Sequence, residues 1–161
     1  DSEVAALFER LGVLTEFTDE GAELSATPDL WSNLEADMSD MPDAVPALAV
    51  TCCLVGIPFR LSGVGALHHK ECDRLEALKA ELASVLQWDG RRVPVHTLPE
   101  FDTYADHRMA MALAPVAVFV PGIVVRDAEV VSKSYPDFWQ QFEAAGFRLA
   151  DPADPMPSIE E

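Results

Sequence analysis

The chain has 161 residues, 49% of them hydrophobic, which is enough for one compact domain with a buried core and excludes global disorder. Its formal net charge is −17, from 28 acidic and 11 basic residues, so nucleic acid and anionic membrane surfaces are poor candidates for partners. No signal peptide and no apolar run of membrane-spanning length is visible, and we expect a cytoplasmic protein. Three cysteines, Cys52, Cys53 and Cys72, suggest no disulfide framework and are expected to be buried thiols in a reducing compartment.

The first half predicts a helix and a hairpin, followed by alternating strands and helices. Apolar spacing, glycine positions and turn residues place these elements in order: a helix (Ser2–Leu11, ended by Gly12), a hairpin (Val13–Phe17 and Ala22–Leu24), a strand (Trp31–Asp37), a helix capped within 39–43 and ending near Val55, a strand (Ile57–Leu61) and a helix from Lys70 to about Ala83.

The second half predicts a similar order and then a tail. The elements are a hairpin around Asp89-Gly90 (Val85–Trp88 and Arg91–Val95), a helix (Asp106–Phe119), a strand (Ile123–Arg126), a loop to Lys133 and a last helix from Ser134 to about Ala145. Residues 151–161 are acidic and rich in proline, which is typical of a loose tail.

The two halves are in register with each other. Asp40 corresponds to Asp106 and Gly56 to Gly122, and both pairs are 66 residues apart. Two unrelated α/β segments would explain the shared order of elements but not the shared offset. The sequence therefore predicts an α/β fold with internal repeats over about 1–83 and 84–147.

The scarce cations lie at or just before predicted helix starts, at Lys70, Arg74, Arg108 and Lys133. Helix N-termini attract anions, and a cation held there makes sense if both point at one anionic ligand. Chance clustering is the alternative. For Arg108 a second alternative is a side chain that folds back to Asp102 or to Asp106, which is itself a good N-cap residue.

Four motifs in order carry a family resemblance: Met41-Pro-Asp-Ala44, Lys70-Glu-Cys-Asp-Arg74, Asp106-His-Arg-Met-Ala-Met111 and Ser132-Lys-Ser-Tyr-Pro-Asp137. Between about Val4 and Phe147 the chain resembles the C-terminal domain of the enolpyruvylshikimate-phosphate synthase family. This resemblance implies that residues 1–150 are part of an inside-out α/β barrel built from repeated β-β-α-β-α units. Cys72 departs from the threonine usual in the motif.

The resemblance also implies the chemistry. The family transfers the enolpyruvyl group of phosphoenolpyruvate to shikimate 3-phosphate, releases phosphate and needs no metal or organic cofactor. By resemblance, Arg74, Arg108 and Lys133 hold phosphoenolpyruvate, Asp43 is the base, and Glu71 is the acid beside Lys70, whose ammonium stabilises developing charge. His107 matches a substrate-site position to which we assign no single duty.

The resemblance leaves the family's N-terminal domain without a counterpart, so we expect this chain alone to be catalytically inert. Two rivals stay open: the related enolpyruvyl transferase that acts on UDP-N-acetylglucosamine, and a non-catalytic fragment that binds anions weakly.

Each site residue also has a purely structural interpretation. Asp43 could be a partner of the helix dipole, and Glu71 and Arg74 could be an ordinary i,i+3 pair. His68 and His69 lack acidic or thiol partners at metal-ligand spacing and are interpreted as loop residues. The tryptophans are expected to be core or hairpin anchors: Trp31, Trp88 and Trp139.

Overall fold

A computed structural model of the chain describes residues 2–28, 30–86 and 99–150. Most of the predicted second hairpin and the whole of the predicted tail at 151–161 lie outside these residues. Within them, no helix is long and apolar enough to cross a membrane.

The chain begins with a helix and a hairpin, as predicted. Helix α1 (Ser2–Glu9) is followed by a turn that closes at Gly12, whose φ of +90° lies in the left-handed region that glycine adopts without strain. Strands β1 (Val13–Thr18) and β2 (Gly21–Ala26) then pair antiparallel from Val13↔Ala26 to Thr18↔Gly21. Their alternation puts Phe17 and Leu24 on one face, and both side chains are exposed.

A strand–helix–strand unit follows. Strand β3 (Leu34–Asp37) leads through a 3₁₀ turn (Pro42–Ala44) into helix α2 (Val45–Val55), and strand β4 (Phe59–Ser62) pairs parallel with β3. After β4, a 3₁₀ helix (Gly65–His69) brings the chain to helix α3 (Arg74–Leu86).

The second unit repeats this order. Strand β5 (Glu100–Phe101) precedes helix α4 (His107–Leu113), and strand β6 (Val124–Val125) pairs parallel with β5. A 3₁₀ helix (Ala128–Lys133) and helix α5 (Phe138–Ala144) complete it. Gly56 and Gly122, which sequence placed at matching positions, both have left-handed backbones, with φ of +73° and +88°.

The core is built around α2, which packs against α3 and α4. Its fully buried members include Leu48 and Cys52 of α2, Leu78 of α3, and Met109 and Leu113 of α4. Burial of these side chains is the main force that fixes the starts of α3 and α4 beside the turn that precedes α2.

Prolines shift several predicted boundaries. The helix predicted to Phe119 leaves α geometry at Leu113 and continues as a 3₁₀ segment (Ala114–Val118), because Pro115 lacks an N–H and its ring clashes with the preceding turn. The last helix starts at Phe138 rather than Ser134, since a residue before proline, here Tyr135, avoids helical geometry. Strand β4 begins after Pro58 rather than at Ile57.

Other predictions were wrong for different reasons. Val85, predicted to start a strand, belongs to α3, and the segment before Lys133 is a 3₁₀ helix rather than a loop. Ser39 does not cap a helix, because its hydroxyl donates to Asp37 at 2.6 Å instead.

Trp31 was wrongly predicted to start a strand and to be a core or hairpin anchor. It precedes β3 and is half exposed, with the Arg10 guanidinium 4.4 Å from its ring centroid. Trp139 is an anchor as expected, since its indole nitrogen donates to the Ala128 carbonyl at 2.8 Å.

Candidate functional site

The start of α3, the start of α4 and the turn before α2 meet at one edge of the core. The turn carries Asp43, the segment leading into α3 carries Lys70 and Glu71, and Arg74 is the first residue of α3. Asp106 is the N-cap of α4, and Arg108 follows in its first turn. These six side chains form one network, which we call the charge cluster.

Arg74 is the centre of the charge cluster. Its side chain is only 1% exposed and bonds three carboxylates: Nε donates to Asp106 Oδ2 at 2.8 Å, Nη1 to Asp43 Oδ1 at 2.9 Å and Nη2 to Glu71 Oε2 at 2.7 Å. Burial alone would lower the pKa of Arg74, but these carboxylates raise it above its ordinary value. The guanidinium is therefore permanently charged and held in one orientation. These bonds use three of the five N–H groups of the guanidinium.

Asp43 is the point on which the cations converge. Its carboxylate lies 3.0 Å from Lys70 Nζ, 2.9 Å from Arg74 Nη1 and 3.2 Å from Arg108 Nη2. Arg108 Nη1 also donates to the Asp43 backbone carbonyl at 3.2 Å. Arg108 thus does not fold back to Asp102 or Asp106. Partial burial alone would raise the pKa of Asp43, but the three cations hold it below its usual value.

Asp106 ties α3 to α4 and is completely buried. One oxygen accepts the Arg108 backbone N–H at 2.8 Å, which caps α4, and the other accepts Arg74 Nε. Burial alone would raise the pKa of Asp106, but the bonds from Arg74 and from the Arg108 backbone lower it below its usual range. Asp106 is therefore an N-cap, as predicted, and it also orients the guanidinium of Arg74.

Cys72 adds a thiol to this buried carboxylate. Its Sγ donates to Asp106 Oδ2 at 3.6 Å, and burial together with the Asp106 charge raises the pKa of Cys72 to about 11. A thiol with this pKa stays protonated near neutral pH, so Cys72 acts here as a donor rather than as a nucleophile.

The loop before α4 is held by contacts that sequence did not reveal. Tyr104 and Ala105 both have left-handed backbones, with φ of +53° and +55°, which is uncommon for residues other than glycine. Tyr104 Oη donates to Glu81 Oε1 of α3 at 2.8 Å, and its backbone N–H donates to Asp102 Oδ1 at 3.0 Å. The sequence feature that could have indicated this loop is the short segment from Asp102 to Asp106, which ends in an N-cap aspartate.

The charge cluster is electrically balanced, with three cations and three carboxylates. Asp43 and Glu71 remain 43% and 45% exposed, whereas Asp106 is fully covered. A ligand can therefore reach the first two carboxylates and the ends of Lys70 and Arg108, but not Asp106.

Two predicted site residues stand apart from these contacts. His107, the first residue of α4, is largely buried. Lys133 is exposed at the end of the 3₁₀ helix that packs on α4, and no ion pair joins it to the charge cluster in the part of the chain that is described. The structure thus brings Lys70, Arg74 and Arg108 together around the carboxylate of Asp43. The placement of Lys133 near them stays a prediction.

His68 has a partner that sequence spacing did not suggest. Its Nδ1 lies 2.9 Å from Asp73 Oδ2, and it belongs to the 3₁₀ helix rather than to an irregular loop. Asp73 also accepts the Glu76 backbone N–H at 3.1 Å, which caps α3. Across residues 2–28, 30–86 and 99–150, no group of three or more histidine, cysteine or acidic side chains is arranged to hold a metal ion.

Comparisons with known proteins cover all of this region. A family model described as EPSP synthase (3-phosphoshikimate 1-carboxyvinyltransferase) matches residues 2–142. A relative from Bacteroides fragilis with the name 3-phosphoshikimate 1-carboxyvinyltransferase is 44% identical over 160 residues, which cover 92% of this chain and 39% of the relative. A relative with the same name from Syntrophobacter fumaroxidans is 35% identical, and the match covers 89% of this chain and 36% of the relative. Another from Methanopyrus kandleri is 37% identical, and the match covers 91% of this chain and 36% of the relative. The chain thus spans about two fifths of the length of these relatives.

Proposed function

Because the chain belongs to the EPSP synthase (3-phosphoshikimate 1-carboxyvinyltransferase) family, we propose that it is part of an enzyme of aromatic amino-acid biosynthesis. This enzyme transfers the enolpyruvyl group of phosphoenolpyruvate to shikimate 3-phosphate and releases phosphate. The observation that carries the proposal is the match over residues 2–142, which contains every member of the charge cluster. All three relatives named above carry the phosphoshikimate name, which favours this function over transfer to UDP-N-acetylglucosamine.

The geometry supports a division of roles within the charge cluster. Phosphoenolpyruvate and shikimate 3-phosphate are both anionic, so an enzyme must neutralise their mutual repulsion to hold them together. Lys70, Arg74 and Arg108 supply three positive charges at one edge of the core. We assign to Lys133 and His107 the remaining substrate contacts that the family motif implies.

Asp43 and Glu71 are the two carboxylates that a substrate can touch. In the proposed reaction Asp43 accepts the proton of the attacking hydroxyl group of shikimate 3-phosphate. Glu71 delivers a proton to the methylene carbon of phosphoenolpyruvate, and the Lys70 ammonium beside it stabilises the charge that develops in the adduct. Return of a proton from the new methyl group to Glu71 then restores the double bond and expels phosphate, which takes up the proton held by Asp43. No metal or organic cofactor takes part in this scheme.

The proposal also covers the rest of the molecule. The two strand–helix–strand units are repeats within part of one domain, residues 1–150, of an inside-out barrel, and the active site forms where this domain meets the family's N-terminal domain. By this proposal the chain alone has no turnover, because most contacts to shikimate 3-phosphate come from that other domain. A cytoplasmic location fits the three free thiols, Cys52, Cys53 and Cys72.

Phosphate release tests the function. The complete enzyme containing this chain is assayed with phosphoenolpyruvate and either shikimate 3-phosphate or UDP-N-acetylglucosamine, and the chain alone is assayed beside it. We expect turnover only by the complete enzyme and only with shikimate 3-phosphate. Turnover with the nucleotide sugar, or turnover by the chain alone, would contradict the proposal.

A matched pair of variants tests the site. Arg108→Gln removes a cation of the charge cluster and should raise the KM for phosphoenolpyruvate at least about tenfold. Arg126→Gln makes the same change at an exposed arginine that pairs with Glu100 and, among the described residues, has no ion pair with the charge cluster, so it should leave KM unchanged. Equal effects of the two variants would show that Arg108 has no special role in binding.

A further inference from the structure

Asp43 occupies the position that an anionic ligand would be expected to take. Three cations from three different places in the sequence aim their nitrogens at this single carboxylate, at 2.9 to 3.2 Å. Phosphate and carboxylate groups of ligands are held in the same way, by several charged donors around shared oxygens. With Asp43 in place, the charge cluster has no unbalanced positive charge to attract a further anion.

We propose that Asp43 is the internal counter-ion of the anion site, and that an incoming anion takes over Lys70, Arg74 and Arg108 from its carboxylate. This inference rests on the proposed function, since it concerns how that same site receives its substrate. It adds a step that precedes chemistry, in which one carboxylate leaves the cations and another anion replaces it.

Exposure distinguishes Asp43 from the other carboxylates that contact Arg74. Asp43 is 43% exposed, so its carboxylate can rotate towards water, whereas Asp106 is fully enclosed and cannot move without opening the core. Glu71 is as exposed as Asp43, but within the described part of the chain its only ion pair is with Arg74. Of these three, Asp43 is therefore the carboxylate that contacts all three cations, and its movement frees one nitrogen of each.

The backbone keeps the site assembled during the exchange. Arg108 Nη1 bonds the Asp43 carbonyl, and this bond does not depend on the position of the Asp43 side chain. Arg74 likewise keeps Asp106 and Glu71. When Asp43 leaves, two carboxylates face three cations, and a phosphate dianion meets a net positive site that is already formed.

Release also prepares Asp43 for its proposed role as a base. While three cations contact it, its proton affinity is low. A bound dianion would neutralise those cations and bring negative charge close to the freed carboxylate, and both effects favour proton uptake. Anion binding would thereby raise the proton affinity of Asp43 only when an anionic substrate occupies the site.

Titration with inorganic phosphate tests this inference on the 161-residue chain, with the dissociation constant measured by calorimetry and folding checked by circular dichroism. Asp43→Asn removes the counter-ion and should tighten phosphate binding by roughly tenfold or more. Glu71→Gln also removes one negative charge from the charge cluster, but it frees one cation instead of three. It should therefore change the dissociation constant for phosphate by less than about threefold. Asp40→Asn makes the same chemical change at an exposed side chain three residues before Asp43, and it should leave the dissociation constant for phosphate unchanged.

Adding Arg108→Gln to the Asp43→Asn chain locates the effect. The double variant should lose the gained affinity, because the released cations are then reduced in number. Phosphate affinity that is unchanged or weaker in Asp43→Asn would overturn the counter-ion role, and so would an equal gain in Glu71→Gln or in Asp40→Asn. No phosphate binding by any variant would overturn it as well.

The two proposals fail separately. If the complete enzyme turns over shikimate 3-phosphate but Asp43→Asn does not tighten phosphate binding, only the counter-ion role is wrong. If the phosphate pattern holds but the complete enzyme has no such turnover, the counter-ion role stands and the proposed reaction is wrong.

Discussion

Removing the charge of Asp106 is the most direct test of what holds the charge cluster together. Asp106→Asn keeps the size of the side chain and its ability to cap α4, since asparagine and aspartate are equally good N-caps. The amide oxygen can accept from the Arg108 N–H or from Arg74 Nε, whereas the carboxylate serves both. The variant therefore removes the ion pair between two fully buried charges, together with the weaker bond from Cys72 to the same oxygen, while the cap is kept.

The expected loss follows from burial. Removing one partner of a buried ion pair costs about 3 to 5 kcal/mol, and Arg74 keeps Asp43 and Glu71, so we expect about 3 kcal/mol. For a domain of this size, that loss lowers the melting temperature by about 6 to 12 °C. Urea unfolding at neutral pH, followed by circular dichroism, measures the free energy of unfolding.

The effect should also depend on pH. Because the pKa of Asp106 is lowered in the folded chain, its charge stabilises the fold fully above its ordinary value of 3.8, and this contribution disappears as the pH falls through the lowered value. The difference in the free energy of unfolding between the unaltered chain and Asp106→Asn should thus be constant from about pH 5 to 8 and should disappear in stronger acid.

Asp73→Asn is the matched control for Asp106→Asn. Asp73 also caps a helix and also pairs with a basic side chain, His68, but its carboxylate is exposed. Its replacement should change the unfolding midpoint far less than Asp106→Asn does. Equal losses in the two variants, or a loss below about 1 kcal/mol in Asp106→Asn, would refute the argument from burial.

Two further substitutions test the surroundings of the site. Gly63→Ala should destabilise the fold by about 2 kcal/mol or more, because φ is +70° and an added Cβ would lie 2.2 Å from Asp37 Oδ1; thermal unfolding measures this. Tyr104→Phe should cost about 1 kcal/mol in urea unfolding, because the hydroxyl that donates to the largely buried Glu81 is lost.

Each of these has a control of the same chemistry. Gly65→Ala adds a methyl group where nothing lies within 4 Å, and Tyr135→Phe removes an exposed hydroxyl. Both controls should stay within about 0.5 kcal/mol of the unaltered chain. If Gly65→Ala lost as much stability as Gly63→Ala, crowding beside Asp37 would not explain the loss in Gly63→Ala. If Tyr135→Phe lost as much stability as Tyr104→Phe, the bond to Glu81 would not explain the loss in Tyr104→Phe.

Local sequence signals predicted the kind and order of most elements. Apolar spacing found α1 and α2, and a turn of Asp19 and Glu20 followed by glycine found the first hairpin. Their ends were less predictable, because a proline such as Pro115 changes helix geometry without ending the turn. Strand β5 was missed, since two residues carry no periodicity of their own and are extended only because β6 pairs with them.

The site was predictable as a set of residues but not as a network. Cations at helix starts marked Lys70, Arg74 and Arg108, and the structure brings these three together. Sequence did not show that all three would bond Asp43, because pairing across the core depends on how helices pack rather than on spacing along the chain. Cys72 was noted as a departure from the family motif, but its bond to Asp106 needed coordinates.

The spread of the charge cluster along the chain bears on how folding and binding are linked. Asp43 and Arg108 are 65 residues apart, and Arg74 lies between them with partners 31 and 32 residues away. Contacts of this range require long loops to close. The Arg74–Asp43 contact closes within the first unit, whereas the contacts of Asp106 and Arg108 form only after helices from both units have docked. No excised helix or single unit can reproduce the site. If the counter-ion role of Asp43 holds, affinity for a small anion therefore reports that both units have assembled.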